Sequence, residues 1–139
     1  MKVTIIIILF ILGGCSSIGT YKTTDYNENF YQKISIDDIV KSPKSYHNKA
    51  IEINGYFYHS LGGTSISGKK YRKSKQSIWI DFNYFGDLLN TNNEKLFEKN
   101  RLEQFSRKKV KIKGVFTKDK TGHLNQYSGS ITKITYFGD

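Results

Sequence analysis

The side chains that could carry acid–base or nucleophilic chemistry are few and far apart. The three histidines, His47, His59 and His123, lack the spacing of metal ligands, and Cys15 is the only cysteine. His123 is the best single candidate for a catalytic residue, and Asp81 could assist it. A turn histidine that caps backbone groups and an aspartate in a structural hydrogen bond are the simpler interpretations. We therefore expect no enzyme, no metal site and no cofactor, with an enzyme that uses His123 and Asp81 as the alternative.

Cys15 belongs to a different kind of chemistry, because of the residues that precede it. Residues 3–12 are almost all apolar, and ten helical residues rise about 15 Å, roughly half of the hydrocarbon core of a bilayer. The run is too short for a transmembrane helix and has the length of the apolar region of a signal peptide. The sequence Leu12-Gly13-Gly14-Cys15 that follows resembles the lipobox of bacterial lipoproteins.

The resemblance to bacterial lipoproteins implies that residues 1–14 are a signal peptide that is removed, and that Cys15 is acylated, with palmitate among its lipids. It implies a protein of the cell envelope whose domain lies outside the cytoplasm. Because Ser16 and not Asp follows the cysteine, the outer membrane is the expected location in a host with two membranes, with the domain in the periplasm. An ordinary signal peptide with a chance cysteine is the alternative. A chain with one cysteine forms no intramolecular disulfide.

The charge balance favours anionic partners. Lys and Arg number 22 against 12 Asp and Glu, which gives a formal net charge of +10. One basic segment covers residues 69–75, and a second cluster comprises Arg107, Lys108, Lys109, Lys111 and Lys113. Solvated loops are the simplest interpretation, followed by contact with anionic head groups or with another envelope protein. We do not expect single-stranded nucleic acid as a partner, because an envelope protein rarely meets it.

The mature chain begins with a segment that shows no sustained periodicity. Residues 15–33 are polar with scattered aromatic side chains, and they predict a flexible tether to a domain over residues 34–139. Ser35, followed three residues later by Asp38, resembles a capping box and predicts a short helix. That helix would place three apolar side chains on one face: Ile36, Ile39 and Val40. Pro43 is expected to end it.

An internal repeat with an offset of 59 residues relates residues 46–57 to residues 105–116. In each copy a turn that contains lysine leads into alternating aliphatic residues, which predict a half-buried strand, and then into a glycine. The alternation predicts an inward set of Ile51, Ile53, Val110 and Ile112 and a solvent-facing set of Glu52, Asn54, Lys111 and Lys113. Because a glycine within a strand often marks a bend, Gly55 and Gly114 predict two equivalent bent strands of one small barrel.

Further elements complete a recognisable order. Residues 64–67 and 77–82 predict two strands between the repeats, and residues 124–136 predict a last strand broken near Gly129. Residues 94–104 have helical spacing and would pack four side chains inward: Leu96, Phe97, Leu102 and Phe105. A short helix, three strands, a helix and two strands form the plan of the OB-fold. We therefore predict a mainly β fold: a five-stranded OB-like Greek-key barrel with a short N-terminal helix and a helix between strands 3 and 4.

From about residue 34 to residue 136 the chain also resembles a family of small bacterial OB-fold-like proteins. The resemblance is carried by Pro-Lys-Ser-Tyr-His-Asn-Lys at 43–49, Gly-Tyr-Phe at 55–57, Ile-Trp-Ile-Asp at 78–81, Gly-His-Leu at 122–124 and Tyr-Ser-Gly-Ser-Ile at 127–131. Asn125 stands where the family often has glycine. The resemblance implies a fold and no assigned activity.

The loops that join strands 1–2 and 4–5 flank the usual binding face of an OB-fold. Here they are residues 59–63 and 118–123. The candidate ligand-binding side chains on and beside these loops are Tyr56, Tyr58, His59, Trp79, Lys118, Lys120 and His123. We expect a non-enzymatic binding or interaction module held at a membrane by its lipid anchor. A hydrolase of envelope polymers that uses His123 and Asp81 is the alternative.

Overall fold

The computed structural model describes residues 18–70 and 73–139, so the predicted signal peptide and Cys15 lie outside the described residues. The fold is mainly β, as predicted. Its strands are β1 (Thr20–Lys22), β2 (Gln32–Lys33), β3 (Ala50–Ser60), β4 (Gly63–Ser67), β5 (Ser77–Ile80), β6 (Lys109–Thr117) and β7 (Ser130–Gly138). The α-helices are α1 (Ile36–Lys41) and α2 (Pro43–Tyr46). No helix of the described segments is long and apolar enough to cross a membrane.

The seven strands form one mixed sheet. Strand β3 pairs antiparallel with β4 and with β6, β4 pairs antiparallel with β5, and β6 pairs antiparallel with β7. The pair β5–β7 is parallel. Two short strands extend this arrangement, because β1 pairs antiparallel with β7 and β2 pairs parallel with β3. The predicted count of five strands is therefore two short of the observed count.

The two additional strands come from the segment for which the sequence predicts a tether. In the described part of that segment, residues 18–33, Tyr21 is only 4% exposed and packs edge-on against Phe105 at 5.9 Å between ring centroids. Strand β1 pairs with the C-terminal half of β7, where Thr20 is opposite Gly138. Residues 18–33 therefore belong to the folded unit. Individual aromatic side chains and strand pairing order this segment, and neither requires a periodic sequence.

The two repeat strands, β3 and β6, lie side by side and antiparallel. Ile53 is opposite Ile112, its own equivalent in the other copy, and Ile51 is opposite Gly114. The pair therefore has a local twofold relation centred on Ile53 and Ile112. All four aliphatic side chains of the inward set are at most 2% exposed, which confirms the predicted strand register.

The two repeat glycines serve different purposes. At Gly114 the pairing of β6 with β7 shifts register, as expected for a bend, and a Cβ there would lie 2.6 Å from the carbonyl oxygen of Thr132. At Gly55 the strand instead changes partner, since Tyr56 pairs with Lys109 of β6 and with Ser67 of β4. A Cβ at Gly55 would lie 2.6 Å from Cδ1 of Ile36, so helix α1 packs directly on this glycine.

Lys113 is the exception within the predicted solvent-facing set. Its side chain is only 3% exposed, whereas Glu52, Asn54 and Lys111 are partly exposed. Tyrosine side chains cover it, because the Nζ atom lies 5.1 Å from the ring centroid of Tyr26 and 5.2 Å from that of Tyr136. The prediction that Lys113 faces solvent is therefore wrong. The two-residue period places it on the outer face, and the N-terminal segment then closes over that face.

The buried ammonium of Lys113 has two polar partners. It donates a hydrogen bond of 2.5 Å to the Tyr26 hydroxyl, and it lies 3.2 Å from Oε2 of Glu52, whose side chain is 16% exposed. Burial acts to lower the pKa of Lys113, but the hydrogen bonds to Tyr26 and Glu52 outweigh it and raise the pKa above its usual value. The lysine therefore stays charged and ties the N-terminal segment to strands β3 and β6.

Helix α1 begins where the capping box predicts. The Ser35 hydroxyl accepts a hydrogen bond of 3.1 Å from the Asp38 N–H, and Ile36 and Ile39 are buried. The helix ends at Lys41, and Pro43 starts the second short helix, α2, at a position where its missing N–H costs nothing.

The predicted helix over residues 94–104 is wrong. Turns and a short 3₁₀ helix (Leu102–Phe105) occupy this region, and within residues 81–108, all of which the structure describes, no α-helix forms. Left-handed backbone at Asn93, Lys99 and Asn100 interrupts helical geometry. The inward side chains are nevertheless as expected, since Leu96 and Phe105 are fully buried. In this segment the spacing of the apolar residues therefore indicates which side chains are buried, but it does not indicate a helix.

Candidate functional site

Trp79 lies at the point where the two predicted binding loops converge. On strand β5 it pairs with Ser65 of β4 on one side and with Ser130 of β7 on the other. Its indole is half-buried and packs against the buried Tyr127 ring at 5.2 Å between centroids. Since Trp79 is the only tryptophan in the chain, its fluorescence reports on this site alone.

A glycine from each loop allows the backbone to approach the indole. Gly63 follows the β3–β4 turn with φ of +117°, and an added Cβ there would overlap the Trp79 ring. Gly122, in the β6–β7 connection, has φ of +68°, and its Cβ would lie 2.6 Å from Cδ2 of the same ring. Both positions combine a left-handed backbone with no room for a side chain, so glycine is required at each.

The tips of the same two loops present apolar side chains to solvent. Leu61 is fully exposed, and Leu124 is 72% exposed. Leu124 also has a left-handed backbone, with φ of 54°, which is rare for a bulky residue. Neither leucine contributes to the core. The last predicted strand therefore begins later than expected, at Ser130, because residues 123–125 form a 3₁₀ turn that carries Leu124 outward.

A small polar cavity of about 270 Å³ lies beside the indole. Its walls include Trp79, Asp81, Lys120, Thr121, Asn125 and Ser130. The polar groups are engaged with one another: Nζ of Lys120 lies 3.0 Å from Oδ2 of Asp81, and the Ser130 hydroxyl donates to the Lys120 carbonyl at 2.7 Å. The Thr121 hydroxyl lies 2.8 Å from Oδ1 of Asn125.

A second charged group stiffens the start of the same loop. Asp119 lies 2.5 Å from Nζ of Lys118 and 3.4 Å from Nε2 of His47. The hydrogen bond from Lys118 is the main reason why the pKa of Asp119 is lowered, and the positive charge of Lys118 adds to the effect. Nδ1 of His47 accepts a hydrogen bond from the Lys118 N–H at 3.3 Å. Lys118, a predicted ligand-binding residue, thus helps to hold the loop.

The structure brings some of the predicted site residues together and separates others. Trp79 and Lys120 line the cavity, whereas His123 is exposed and lies outside its walls. Tyr58 is opposite Ser65, which is opposite Trp79, so the two aromatic residues share one outer row of β3, β4 and β5. The Tyr58 hydroxyl donates to the Lys70 carbonyl at one edge of this row.

The remaining candidates on β3 are Tyr56 and His59, and both are half-buried. Tyr56 is half-buried and pairs with strands on both sides. The His59 ring stacks on Phe57 at 6.4 Å, and its Nδ1 is buried without a hydrogen-bond partner among the described residues. The described segments also contain no group of three His, Cys, Asp or Glu side chains that could hold a metal ion.

Three side chains of this end of the molecule are absent from the predicted ligand-binding residues: Leu61, Leu124 and Tyr127. Both leucines lie within segments that the sequence does highlight, since residue 61 is in the first loop and residue 124 follows Gly122-His123. An apolar residue at the tip of a predicted loop is the signal that could have identified them.

The packing of Gly122 against Trp79 leads to a testable expectation. Gly122→Ala should lower the free energy of unfolding by about 1–3 kcal/mol, because alanine tolerates this backbone poorly and its Cβ overlaps the indole. The Trp79 emission should shift to longer wavelength as the ring moves toward water. Gly62→Ala is the matched control, since its Cβ would lie 3.8 Å from the nearest atom, Oγ of Ser60. Unchanged emission of Gly122→Ala would contradict the described packing.

Comparisons with models of known protein families, with curated proteins and with solved structures give no significant match. The resemblances to bacterial lipoproteins and to a family of OB-fold-like proteins therefore stay predictions.

Proposed function

We propose that the chain is a lipid-anchored envelope protein whose domain is an OB-like barrel that binds another envelope protein. The support for the barrel is the sequence of strand pairs. Strand β3 pairs with β4, β4 with β5, β5 with β7, β7 with β6, and β6 returns to β3. This order of pairing agrees with the Greek-key plan of OB-folds, in which the third and the fifth strands form the parallel pair, here β5 and β7. The irregular segment over residues 81–108 would take the place of the expected helix.

The proposal of a lipid anchor depends on Leu12-Gly13-Gly14-Cys15, preceded by an apolar run of signal-peptide length. Acylation at Cys15 would hold the domain at a membrane surface. The described chain begins at Ile18, whose N–H donates to the Asp139 carboxylate at 2.9 Å. Cys15 would therefore be attached close to the folded part of the protein, without a long linker.

One observation carries the binding proposal: two loops converge on Trp79, and each exposes a leucine at its tip. A left-handed backbone costs a residue such as leucine roughly 1–2 kcal/mol. Because the Leu124 side chain is exposed, no packing in the core offsets this cost. Burial of the Leu124 side chain against a partner would offset the cost of its backbone conformation. Apolar side chains around a central aromatic residue are also typical of protein interfaces. The adjacent cavity, about 270 Å³, is below the usual size of small-molecule sites, which favours a macromolecular partner.

The enzyme alternative has less geometric support. Asp81 pairs with Lys120, and the Ser130 hydroxyl donates to a backbone carbonyl. A nucleophilic mechanism would need a hydroxyl in contact with a base that a third group orients. Within the described segments, the hydroxyls of the cavity face Lys120 and Asn125 instead of His123.

Photo-crosslinking in living cells tests this function. A photoreactive amino acid placed at Leu61 or at Leu124 should crosslink to the same envelope protein, because both loop tips face one partner. Phe85 is the matched control, since it is 98% exposed and apolar but lies in the segment that follows β5. The crosslinked species should sediment with membranes, and the Cys15→Ser variant should not. Equal crosslinking from Phe85, or no shared product from the two leucines, would overturn the binding proposal.

A further inference from the structure

The first described residues are fixed at one end of strand β7. The Ile18 and Gly19 N–H groups donate to the two carboxylate oxygens of Asp139 at 2.9 and 3.1 Å. Thr20 then pairs with Gly138. Ile18 is three positions after Cys15, and three steps of fully extended chain span at most about 11 Å. An anchor at Cys15 would therefore hold this end of the domain close to the head groups of its membrane.

Three lysines surround this attachment point, and we name them the anchor-side lysines: Lys33, Lys109 and Lys111. They line one shallow depression of about 560 Å³ together with Asn54 and Asp139. Lys33 and Lys109 are exposed and Lys111 is partly exposed. Lys111 is opposite Gly138, which is opposite Thr20, so about 10 Å separates the backbone of Lys111 from that of the first strand.

The surface carries a net positive charge. Asp139 is the acidic residue in the depression, and its two carboxylate oxygens already accept hydrogen bonds from the backbone of Ile18 and Gly19. Lys22, on β1, adds a fourth cation at the edge of the depression. Its Nζ lies 5.5 Å from the centroid of the Tyr136 ring, and Nζ of Lys111 lies 5.7 Å from the same centroid. A surface of this kind fits an anionic partner that lies against the attachment point.

The Trp79 cavity lies at the opposite end of the same strand. Ser130 lines the cavity, and Gly138 lies beside the anchor-side lysines, eight residues later. Eight strand residues extend up to about 26 Å. Strand β6 gives the same direction, because it runs from Lys109 to Thr117 and leads into Lys118 and Lys120.

We infer that the anchor-side lysines rest on anionic phospholipid head groups, and that this contact turns the Trp79 cavity away from the membrane. The inference builds on the proposed lipid anchor. The chain from Cys15 to Ile18 can span at most about 11 Å, which is comparable with the Debye length of about 8–10 Å in physiological salt. An anchor at Cys15 would therefore keep the lysines within the reach of the surface potential. Each lysine near an anionic surface favours association by about fivefold. The anchor supplies attachment to the bilayer, and the lysines supply a preferred orientation on it.

Lysine acylation read by mass spectrometry tests this orientation. The lipidated full-length protein is reconstituted into vesicles of phosphatidylglycerol or of phosphatidylcholine and treated with an amine-reactive acetylating reagent. The anchor-side lysines should react about fivefold more slowly in the anionic vesicles, and about 1 M salt, where the Debye length is about 3 Å, should remove the difference. Lys120, whose side chain is 64% exposed in the cavity wall, should react at the same rate in both.

A matched pair of variants separates a specific surface from general positive charge. Replacing Lys33, Lys109 and Lys111 together by Gln should make Lys22 as reactive in anionic vesicles as in neutral ones. Replacing Lys69, Lys73 and Lys75 together by Gln removes the same charge from the basic segment and should leave Lys22 protected. Both triple variants change exposed or partly exposed positions, and Trp79 emission checks that each is folded.

The outcomes distinguish the two proposals. The mass of the peptide that contains Cys15 reports on the anchor, and an unmodified cysteine overturns the anchor and the orientation that depends on it. An acylated Cys15 with equal reactivity of the anchor-side lysines in both vesicles overturns the orientation alone. Greater protection of Lys120 than of Lys109 would mean that the cavity faces the bilayer, which also refutes the inference.

Discussion

Lys113→Ala should lower the free energy of unfolding by about 3 kcal/mol, although a pattern of alternating residues places this lysine among surface positions. Removing one partner of a buried ion pair typically costs about 3–5 kcal/mol, because the other charge stays buried without compensation. We expect the lower end of this range, since Glu52 is 16% exposed and can recover some hydration. The substitution also removes the cation that lies within 6 Å of the rings of Tyr26, Tyr31 and Tyr136.

Chemical denaturation checks this expectation, with Lys111→Ala as the matched control two residues earlier on the same face. Lys111 is partly exposed and, among the described residues, makes one cation–π contact, 5.7 Å from the Tyr136 ring, so its replacement should cost about 0.5–1 kcal/mol. A double-mutant cycle with Glu52→Gln should give a coupling energy of about 1–3 kcal/mol. Equal costs for the two lysines, with no coupling to Glu52, would show that Lys113 is an ordinary surface residue.

Lys113 also illustrates what the sequence can and cannot predict. The two-residue period assigns its face correctly, because Val110 and Ile112 are buried on the opposite face. The cover over Lys113 comes from Tyr26 and Tyr31, which precede it by more than 80 residues and lie in a segment without periodicity. Local patterns carry no information about such distant contacts, so the burial of Lys113 was not predictable.

The strands that were predicted correctly have a strong local signal. Alternation identifies β3 and β6, and a turn at Leu61 and Gly62 separates β3 from β4. The two- and three-residue strands β2 and β1 have no such signal, because they exist only through pairing with β3 and β7. For residues 94–104 the apolar spacing fits a helix and a series of turns equally well. The left-handed backbone at Lys99 and Asn100 is compatible with turns and not with a helix, and the sequence does not mark these two positions.

The candidate binding site stays a prediction, but the structure shows how its predicted parts are arranged. The plan of the OB-fold places binding loops at residues 59–63 and 118–123, and the structure brings Gly63 and Gly122 from these loops to Trp79. The predicted contribution of His123 to a pocket is not observed, since it is exposed outside the cavity walls. The conformation of the second loop is the reason, because left-handed backbone at Gly122, Leu124 and Asn125 directs the tip outward. Glycine and asparagine adopt such φ angles readily, but a leucine does not, so the sequence does not mark Leu124 as left-handed.

Ile53→Ala and Ile112→Ala should each lower the free energy of unfolding by about 2–5 kcal/mol, the range for truncating a fully buried isoleucine. The two positions are direct cross-strand partners at the centre of the repeat, and both are 0% exposed, so the two costs should be similar. A loss of this size is a large share of the stability of a small domain, and both variants should therefore unfold at much lower denaturant concentration.

Asn54→Ala is the control for this last prediction, because the neighbouring residue on a strand faces the opposite way. Asn54 is partly exposed and lies opposite Lys111, so its replacement should cost less than about 0.5 kcal/mol. If Asn54→Ala destabilised the protein as much as Ile53→Ala, the register of β3 on β6 would be wrong by one residue. If only one of the two isoleucines were sensitive, the repeat would not have its centre at this pair, and the equivalence of the two strands that supports the proposed barrel would be lost.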